Sequence, residues 1–417
     1  MNQDGKLFYG WRIVSATFLI LFVGLSSGFY TVSVFLEPLQ ETFGWTRTQI
    51  SLGFTLSAIL VGLMSPAVGV AVSKLGVRKV QLFGAVVVSA GLLGASFLQT
   101  LLQYYGIYVI VAIGLASVGI VPSQTVISHW FEKRRGTAMG IIMMGIGLGG
   151  MSMVLVASMI NDAYGWRWAY RVLALLVAGI VIPLVLFVIR DNPLEMGLVP
   201  DGAAVSTSTA RDIGGKLNLT VAEAFRTLPF HLTYLITALF SVILGGLTLH
   251  AIALLRSYGF EQANMLWSLT LGVSVLGRIL FGYLSDRIDK KTLVLASWVC
   301  HILAFAAIMM VSGQTLYIGG FVIFYGLSLG SFVTLLPLFV GDRFGVEHFS
   351  KLIGIVGLFQ IIGLAAGSIM MGKIFDATGS YENGVTVLLT ISVISLAITL
   401  MIGQPRAAVK GAVAAGA

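Results

Sequence analysis

The sequence predicts an all-α integral membrane protein with twelve transmembrane helices in two parallel halves of six. Three observations support this fold class: an apolar composition, about twelve apolar segments of spanning length, and a loop motif that occurs twice. Hydrophobic residues make up 57% of the 417 residues and charged residues 10%, and the mean hydropathy is +0.97. Soluble domains have far more charge. A helix that crosses a bilayer needs roughly 20 apolar residues.

The twelve apolar segments follow one another along the whole chain, with each end given to within about three residues. They are predicted at 11–36, 48–73, 80–99, 104–130, 137–160, 167–189, 231–255, 264–285, 292–311, 315–340, 351–373 and 384–403. Most of the 7 Trp fall at segment ends, where interfacial anchors are expected. The 50 Gly suit close helix packing in lipid. The lone Cys300 excludes an internal disulfide and fits no metal site.

The basic residues follow a topology rather than a nucleic-acid-binding surface. With both termini inside, 19 of the 25 Lys and Arg fall in inner segments and 5 in outer loops, and Arg278 completes the count. Positive charge collects on the cytoplasmic side of membrane proteins. The sequence therefore predicts a multi-pass protein of the cell (inner) membrane with cytoplasmic termini and no cleavable signal.

A polar segment divides the chain in the middle. Residues 190–229 contain Pro193, Pro200 and the run Ser206–Thr209, and they are predicted to form a cytoplasmic linker. The linker would join a first six-helix bundle, 1–189, to a second bundle and short tail, 230–417. Within it, Leu219–Arg226 is predicted to form a short amphipathic helix on the membrane surface.

Two loop motifs recur at one spacing. The run Gly69–Lys79 follows the second segment, and a similar run, Gly282–Lys291, follows the eighth. Phe131 and Phe344, after the fourth and tenth segments, are separated by the same distance in sequence as Gly69 and Gly282. Two motif pairs at one offset indicate two parallel halves, and such repeats place a binding site at their interface near the midplane.

Arg278 is the most informative single residue. It lies in the apolar run Met265–Tyr283, where a charged side chain costs at least about 2.5–3.5 kcal/mol on insertion scales. Arginine cannot lose its proton to avoid that cost, and its planar fork fits a carboxylate. One fixed positive charge in an otherwise uncharged interior predicts a site for one small anion.

The repeated Gly-x-x-x-Asp-Arg type of loop resembles the signature of the major facilitator superfamily over nearly the whole chain. Within that superfamily, residues 4–11 and the run Trp130–Arg135 with the following small residues resemble the monocarboxylate transporter family. Arg278 falls where that family and the related oxalate/formate exchanger place their substrate arginine. The resemblance implies a secondary carrier that moves small organic anions by alternating access, with proton symport as the family's mode.

The chain also departs from the family pattern. Ser274 stands where eukaryotic members have an aspartate one turn before the arginine, and Tyr30 stands where they have a lysine. Gln360 stands where the oxalate exchanger has a second cation. A single cation favours a monoanion over a dianion. The missing aspartate and the missing lysine are both implicated in proton coupling in the family. For that reason symport, exchange and uniport all stay open.

Other polar and aromatic side chains are candidates for the substrate site, although plain helix packing explains each of them equally well. The set comprises Tyr30, Gln124, Tyr325, Ser328, Phe332, Phe359 and Gln360. His250 is the candidate for proton coupling, since histidine titrates near neutrality. The alternatives for His250 are a gate hydrogen bond or a structural bond to a neighbouring carbonyl.

Cytoplasmic closure is expected to use the loop motifs. Gly69 and Gly282 would allow close helix approach, and Arg78, Asp286 and Arg287 would supply charged contacts. Ser73 replaces the usual acid of the first motif, so that contact should be the weaker one. The glycine string 145–150 lies inside a spanning segment with no preceding strand, so it is interpreted as helix packing rather than dinucleotide binding.

These observations favour a transporter over other membrane proteins. The core has no carboxylate and no His/Cys/Asp cluster with ligand spacing, so neither an enzyme nor a metal or cofactor is expected. A channel would need rings of polar residues, and a transporter-like sensor is the minor alternative. The prediction is a monomeric, proton-coupled carrier for a lactate-like or pyruvate-like monocarboxylate, with an exchanger or uniporter of the oxalate/formate type as the alternative.

Overall fold

Twelve long apolar helices build the structure, a computed structural model that describes residues 8–131, 134–200, 219–285, 287–310, 315–345 and 349–403. In chain order they are α1 (Gly10–Phe43), α2 (Arg47–Leu75), α3 (Val77–Ala95), α4 (Leu101–Trp130), α5 (Arg135–Tyr164), α6 (Trp166–Phe187), α7 (Leu228–Ser257), α8 (Ala263–Leu284), α9 (Lys290–Met309), α10 (Thr315–Phe344), α11 (Phe349–Thr378) and α12 (Glu382–Met401). Each predicted segment corresponds to one helix, so the predicted fold class is confirmed.

Several helices extend past their predicted ends because polar residues continue the helix beyond its apolar part. The clearest case is α1, which runs to Phe43 rather than to residue 36. Side chains define the starts of others: the Thr46 hydroxyl accepts the backbone N–H of Gln49 in a capping box at α2. The same device starts the short helix Val221–Phe225, which confirms the helix predicted at 219–226. The linker residues 201–218 lie outside the described residues.

Helix packing produces two bundles and one interface between them. In the first half α1 packs on α5, α3 on α4 and α5 on α6; in the second half α7 packs on α11, α8 on α10 and α9 on α12. Three pairs join the halves: α2 with α11, α5 with α8, and α1 with α7. We call the end where α1 begins the proximal end, and the end where α1 finishes the distal end.

Contacts in the two halves confirm the internal repeat. The Trp130 indole N–H at the end of α4 donates to the carbonyl of Arg190 at 2.9 Å. At the equivalent place in the second half, near the end of α10, the Arg343 guanidinium donates to the carbonyl of Gly403 at 2.5 Å. In both halves, the fourth helix of the bundle is therefore tied to the chain just after the sixth.

The glycine string in α5 works as a packing surface, as predicted. Gly145 and Gly149 face α1, where an added Cβ would collide with the backbone carbonyls of Phe18 and Phe22. A Cβ on Gly147 would lie 2.6 Å from Val275 of α8. The absence of side chains on these two faces lets α5 contact α1 and α8 at once, so it brings the helix that carries Arg278 against the first half.

Candidate functional site

Arg278 lies at the contact between α5 and α8. Its guanidinium is half-buried and donates to the carbonyl of Met143 in α5 at 2.7 Å. Its Nε–H is buried without a hydrogen-bond partner. In the described part of the chain, no ion pair includes Arg278. The side chain therefore keeps a positive charge and at least one free donor at the interface between the halves.

Close backbone contact fixes the position of Arg278. On α10, a Cβ added to Gly330 would lie 2.8 Å from the Arg278 backbone nitrogen, and on α8 one added to Gly277 would lie 2.5 Å from the carbonyl oxygen of Leu327. Because no side chain fits between α8 and α10 here, the two backbones touch. This contact fixes the backbone from which the Arg278 side chain extends towards α5.

Two tyrosines of the candidate set lie with Arg278. The Tyr30 hydroxyl, on α1, is close enough to interact with the Arg278 guanidinium. Tyr325 of α10 is fully buried next to Tyr30, and its hydroxyl has no hydrogen-bond partner. The indole N–H of Trp267 is likewise unpartnered, and its ring stacks on Tyr325 with centroids 6.2 Å apart. The structure thus collects a cation and several polar hydrogens between the halves.

Ser328 and Phe332 point elsewhere, although they share a face with Tyr325 by helical spacing. The Ser328 hydroxyl is fully buried and donates to the Tyr325 carbonyl at 3.1 Å. Phe332 stacks on Phe240 with ring centroids 4.0 Å apart and also contacts Trp298. Both side chains are thus used in packing inside the second half.

The remaining three lining candidates are not joined to Arg278. Phe359 stacks on Tyr234 of α7 with centroids 4.0 Å apart. Gln360 is partly buried, and Gln124 is exposed on α4. Among the described residues, no hydrogen bond links any of these three side chains to the arginine. Their roles as lining residues stay predictions.

His250, in the distal part of α7, is fully buried and fully hydrogen-bonded. Its Nε2 lies 3.0 Å from the Ser368 carbonyl and 3.0 Å from the Ser51 hydroxyl, and its Nδ1 lies 2.8 Å from the Tyr381 hydroxyl. A carbonyl can only accept, so Nε2 carries the hydrogen and Nδ1 accepts from Tyr381. A neutral ring satisfies every one of these contacts, and Ser51 belongs to the other half of the protein.

Sequence reasoning missed the charged residues beside His250. Arg47 is one of the five basic residues that the sequence places in outer loops, yet it is only 8% exposed. Its guanidinium donates to the Tyr381 hydroxyl, and the backbone N–H groups of Arg47 and Thr48 donate to the Asp376 carboxylate at 3.1 and 2.9 Å. No sequence signal separates a buried arginine at a helix start from a solvated one. We call Arg47, Ser51, His250, Asp376 and Tyr381 the distal cluster.

The predicted gating residues lie at the proximal end. A Cβ on Gly69 would meet nothing within 4 Å, and one on Gly282 would meet only Thr334 of its own half, at 3.6 Å. In this conformation neither glycine brings the halves together. The guanidinium of Arg78 donates to carbonyls at the end of α6, and Arg287 lies over the ring of Tyr283.

Asp286 lies outside the described residues. The proximal gate therefore stays a prediction, for a conformation in which the proximal ends meet.

Comparison with known proteins places the fold in a family. A sequence profile of the Major Facilitator Superfamily matches residues 16–368. The chain belongs to the major facilitator superfamily. It is 27% identical over 409 residues to mouse monocarboxylate transporter 4, covering 95% of this chain and 83% of that protein. Human monocarboxylate transporter 1 is 26% identical over 416 residues, with 90% and 81% covered.

A bacterial relative is the MFS-type transporter YcxA of Bacillus subtilis, 23% identical over 94% of each chain. Among solved structures, a bacterial homologue of the lysosomal transporter Spinster superposes with a TM-score of 0.72 at 16% identity, covering 95% of this chain and 98% of that one. The nucleoside transporter NupG gives the same TM-score and identity over 95% and 99%. These structures share the fold. The protein is a multi-pass membrane transporter and not an enzyme.

Proposed function

We propose that this member of the superfamily is a secondary active transporter of small monocarboxylates of the lactate or pyruvate kind, in which Arg278 binds the carboxylate. The observation that carries the proposal is the environment of Arg278: a half-buried guanidinium between the halves, with a free donor and the hydroxyls of Tyr30 and Tyr325 nearby. The named monocarboxylate transporters among the relatives support the substrate class.

The charge at the site favours one carboxylate per substrate. Arg278 supplies a single positive charge, and Gln360 is neutral where a second cation would serve a dianion. A monocarboxylate would neutralise the guanidinium, whereas a dicarboxylate would leave one negative charge in a region that disfavours it. A planar carboxylate can also accept two parallel bonds from the guanidinium fork.

A proton is proposed to travel with the anion, and His250 is the candidate to carry it. Its neutral ring accepts the Tyr381 hydroxyl through Nδ1. A proton on Nδ1 would turn that acceptor into a donor, so the bond to Tyr381 would have to be rebuilt. Protonation of His250 would then be tied to the contact between the halves at the distal end.

An anion exchanger is the second candidate, and one observation favours it. Arg278 has no ion-pair partner in the described part of the chain, and arginine stays charged throughout. An empty carrier would have to move that charge alone, whereas a loaded carrier would move a neutral pair. Exchange of one anion for another would then run faster than net flux.

The charge distribution supports an orientation in the cell membrane. With 19 basic residues in the predicted inner segments and 5 in the predicted outer loops, both termini and the linker 190–229 would be cytoplasmic and the distal end extracellular. The halves 1–189 and 230–417 would rock about the central site, with the proximal motifs closing the cytoplasmic side. One chain contains the whole proposed site, so a monomer would suffice.

Counterflow in proteoliposomes tests the proposal. Purified protein is reconstituted with a high internal concentration of unlabelled lactate, and uptake of labelled lactate, pyruvate, acetate, formate and oxalate is measured. We expect lactate and pyruvate to accumulate transiently and oxalate to fail. Accumulation of labelled oxalate only when the internal lactate is replaced by oxalate would favour the exchanger, and failure of lactate and pyruvate in both cases would contradict the substrate class. Uptake driven by an inward proton gradient then separates symport from exchange.

A further inference from the structure

The distal cluster is a polar contact between the two halves, in which Arg47, Ser51, His250 and Tyr381 are buried and Asp376 is exposed. Arg47 and Ser51 come from α2 in the first half, and His250, Asp376 and Tyr381 come from the second half. We infer that the distal cluster is the gate that closes the distal end of the protein, and that it comes apart each time that end opens. The inference rests on the proposed function only for the existence of a transport cycle.

The first part of the gate is a contact between helix ends. The backbone N–H groups of the first turn of α2 have no partners within their own helix and carry partial positive charge. The Asp376 carboxylate, in the last turn of α11, accepts two of them, from Arg47 and Thr48. One turn earlier on α11, Gly372 keeps the helices close, since a Cβ there would lie 3.1 Å from the Thr48 backbone.

The second part is the Arg47 side chain, which crosses into the second half. Its guanidinium carbon lies 3.6 Å from the centroid of the Phe375 ring, and the guanidinium donates to the Tyr381 hydroxyl. On its own side, Gln40 accepts its Nε–H at 3.1 Å, and Glu37 lies 3.8 Å away. The charge is thus shielded from water only while the halves are together.

The hydrogen bonds that involve the Arg47, Tyr381 and His250 side chains form one chain, in which each group donates to the next. The Arg47 guanidinium donates to Tyr381, the Tyr381 hydroxyl donates to His250 Nδ1, and His250 Nε2 donates to Ser368 and Ser51. Burial raises the pKa of Tyr381, so the phenol stays a neutral donor. Separating the halves would expose Arg47, His250 and Tyr381 to water together, whereas removing one of them leaves the others buried and unpaired. Such a network favours two states, closed or fully parted.

The cluster lies far enough from the proposed site to act as a barrier. Arg278 lies four turns from the distal start of α8 at Ala263, or about 22 Å along the helix. A second ion pair, Arg256 with Glu37 at 2.5 Å, also joins the halves at this end, but the Arg256 side chain is 38% exposed. Exposed pairs contribute little because water and salt screen them. This pair therefore provides a matched control.

Cysteine labelling tests the gate without any substrate. Replacing the lone Cys300 by Ser leaves a cysteine-free chain, and Ser268→Cys provides a reporter. Ser268 is fully buried on α8 and lies between Arg278 and the distal end. By helical spacing it shares a face with Leu271 and Val275, which contact α5. The rate of reaction with a membrane-impermeant maleimide is measured in intact cells and in inverted vesicles. One of these preparations exposes the distal end.

In the preparation that exposes the distal end, we expect Arg47→Gln to raise the labelling rate about tenfold or more, the factor that the loss of one buried polar contact gives. Asp376→Asn should raise it by a smaller factor, because the Asp376 side chain is exposed. Tyr381→Phe removes only a hydroxyl, and we expect it to raise the labelling rate as well. It tests the gate if the charge variants fail to accumulate. Arg256→Gln should change the rate by less than about twofold. Equal rates in all variants, or an equal rise in Arg256→Gln, would overturn the inference. Because labelling is measured without transport and without added substrate, its outcome does not depend on which anion the protein carries.

Discussion

Replacing Arg278 by lysine separates the charge of the site from its shape. Lysine keeps one positive charge but offers a point ammonium instead of a planar fork. Arg278 donates one hydrogen to the Met143 carbonyl and keeps a free Nε–H, so the native side chain can hold α5 and a carboxylate together. A lysine ammonium has three donors but no planar fork, so it can donate to both groups yet cannot make two parallel bonds to a carboxylate. We therefore expect Arg278→Lys to fold and to bind substrate weakly.

The size of the effect follows from the bonds lost. A hydrogen bond to a charged group contributes about 1.5–3 kcal/mol, so the loss of one such bond in Arg278→Lys should raise the Kd for lactate about 10- to 100-fold. Arg278→Ala removes the charge and two bonds, about 3–6 kcal/mol, and should raise the Kd by about 10²- to 10⁴-fold. Equilibrium binding of labelled lactate to purified protein measures both values.

Arg343→Lys is the matched control for this experiment. Arg343 is more deeply buried than the half-buried Arg278, at 6% exposed, and it donates to the carbonyl of Gly403 at the proximal end. It should tolerate lysine without a change in lactate affinity, and thermal unfolding of each variant checks that the fold is intact. Unchanged affinity in Arg278→Ala would refute the proposal that this residue binds the carboxylate. An equal loss in Arg343→Lys would show that the effect is structural.

Three further predictions concern topology, gating and coupling. In a cysteine-free background, Ala210→Cys should react with an impermeant reagent only from the cytoplasmic side, and labelling from outside would reverse the proposed orientation. Asp286→Asn should slow lactate uptake more than Ser73→Ala does, because the first motif already lacks its acid; equal rates would count against this asymmetry. His250→Ala should abolish uptake driven by a proton gradient yet spare exchange at equilibrium, and uptake that persists would leave the proton to the substrate or to water.

Much of the fold could be predicted because a bilayer imposes simple rules on the sequence. Every backbone polar group must be paired inside the hydrocarbon, so an apolar run of sufficient length forms a helix. The internal repeat was visible because Gly69 and Gly282 begin similar motifs, and the contacts of Trp130 and Arg343 confirm it. Helix ends were less predictable, since polar residues extend α1 to Phe43.

The site could be predicted only where a residue was out of place in its segment. Arg278 stood out because charge is costly in an apolar helix. Tyr325 and Ser328 share a helix face, yet only the Tyr325 hydroxyl is left unpartnered, because Ser328 bonds to its own backbone. Arg47 gave no signal, because an arginine at a helix start is ordinary. Its burial depends on Phe375 and Tyr381, which lie near the far end of the chain.

The repeat that relates the two halves is broken at the position of the proposed anion site. At the spacing that relates Gly69 to Gly282, the counterpart of Arg278 is Ser65 of α2, whose hydroxyl merely bonds the Val61 carbonyl of its own helix. If both halves descend from one duplicated unit, only the second copy carries the charge that binds the substrate. A bound anion would then move together with the second half as the two halves rock. The first half would contact the rest of the substrate and limit its size. Recognition of the carboxylate and recognition of substrate size could then evolve separately, one in each half.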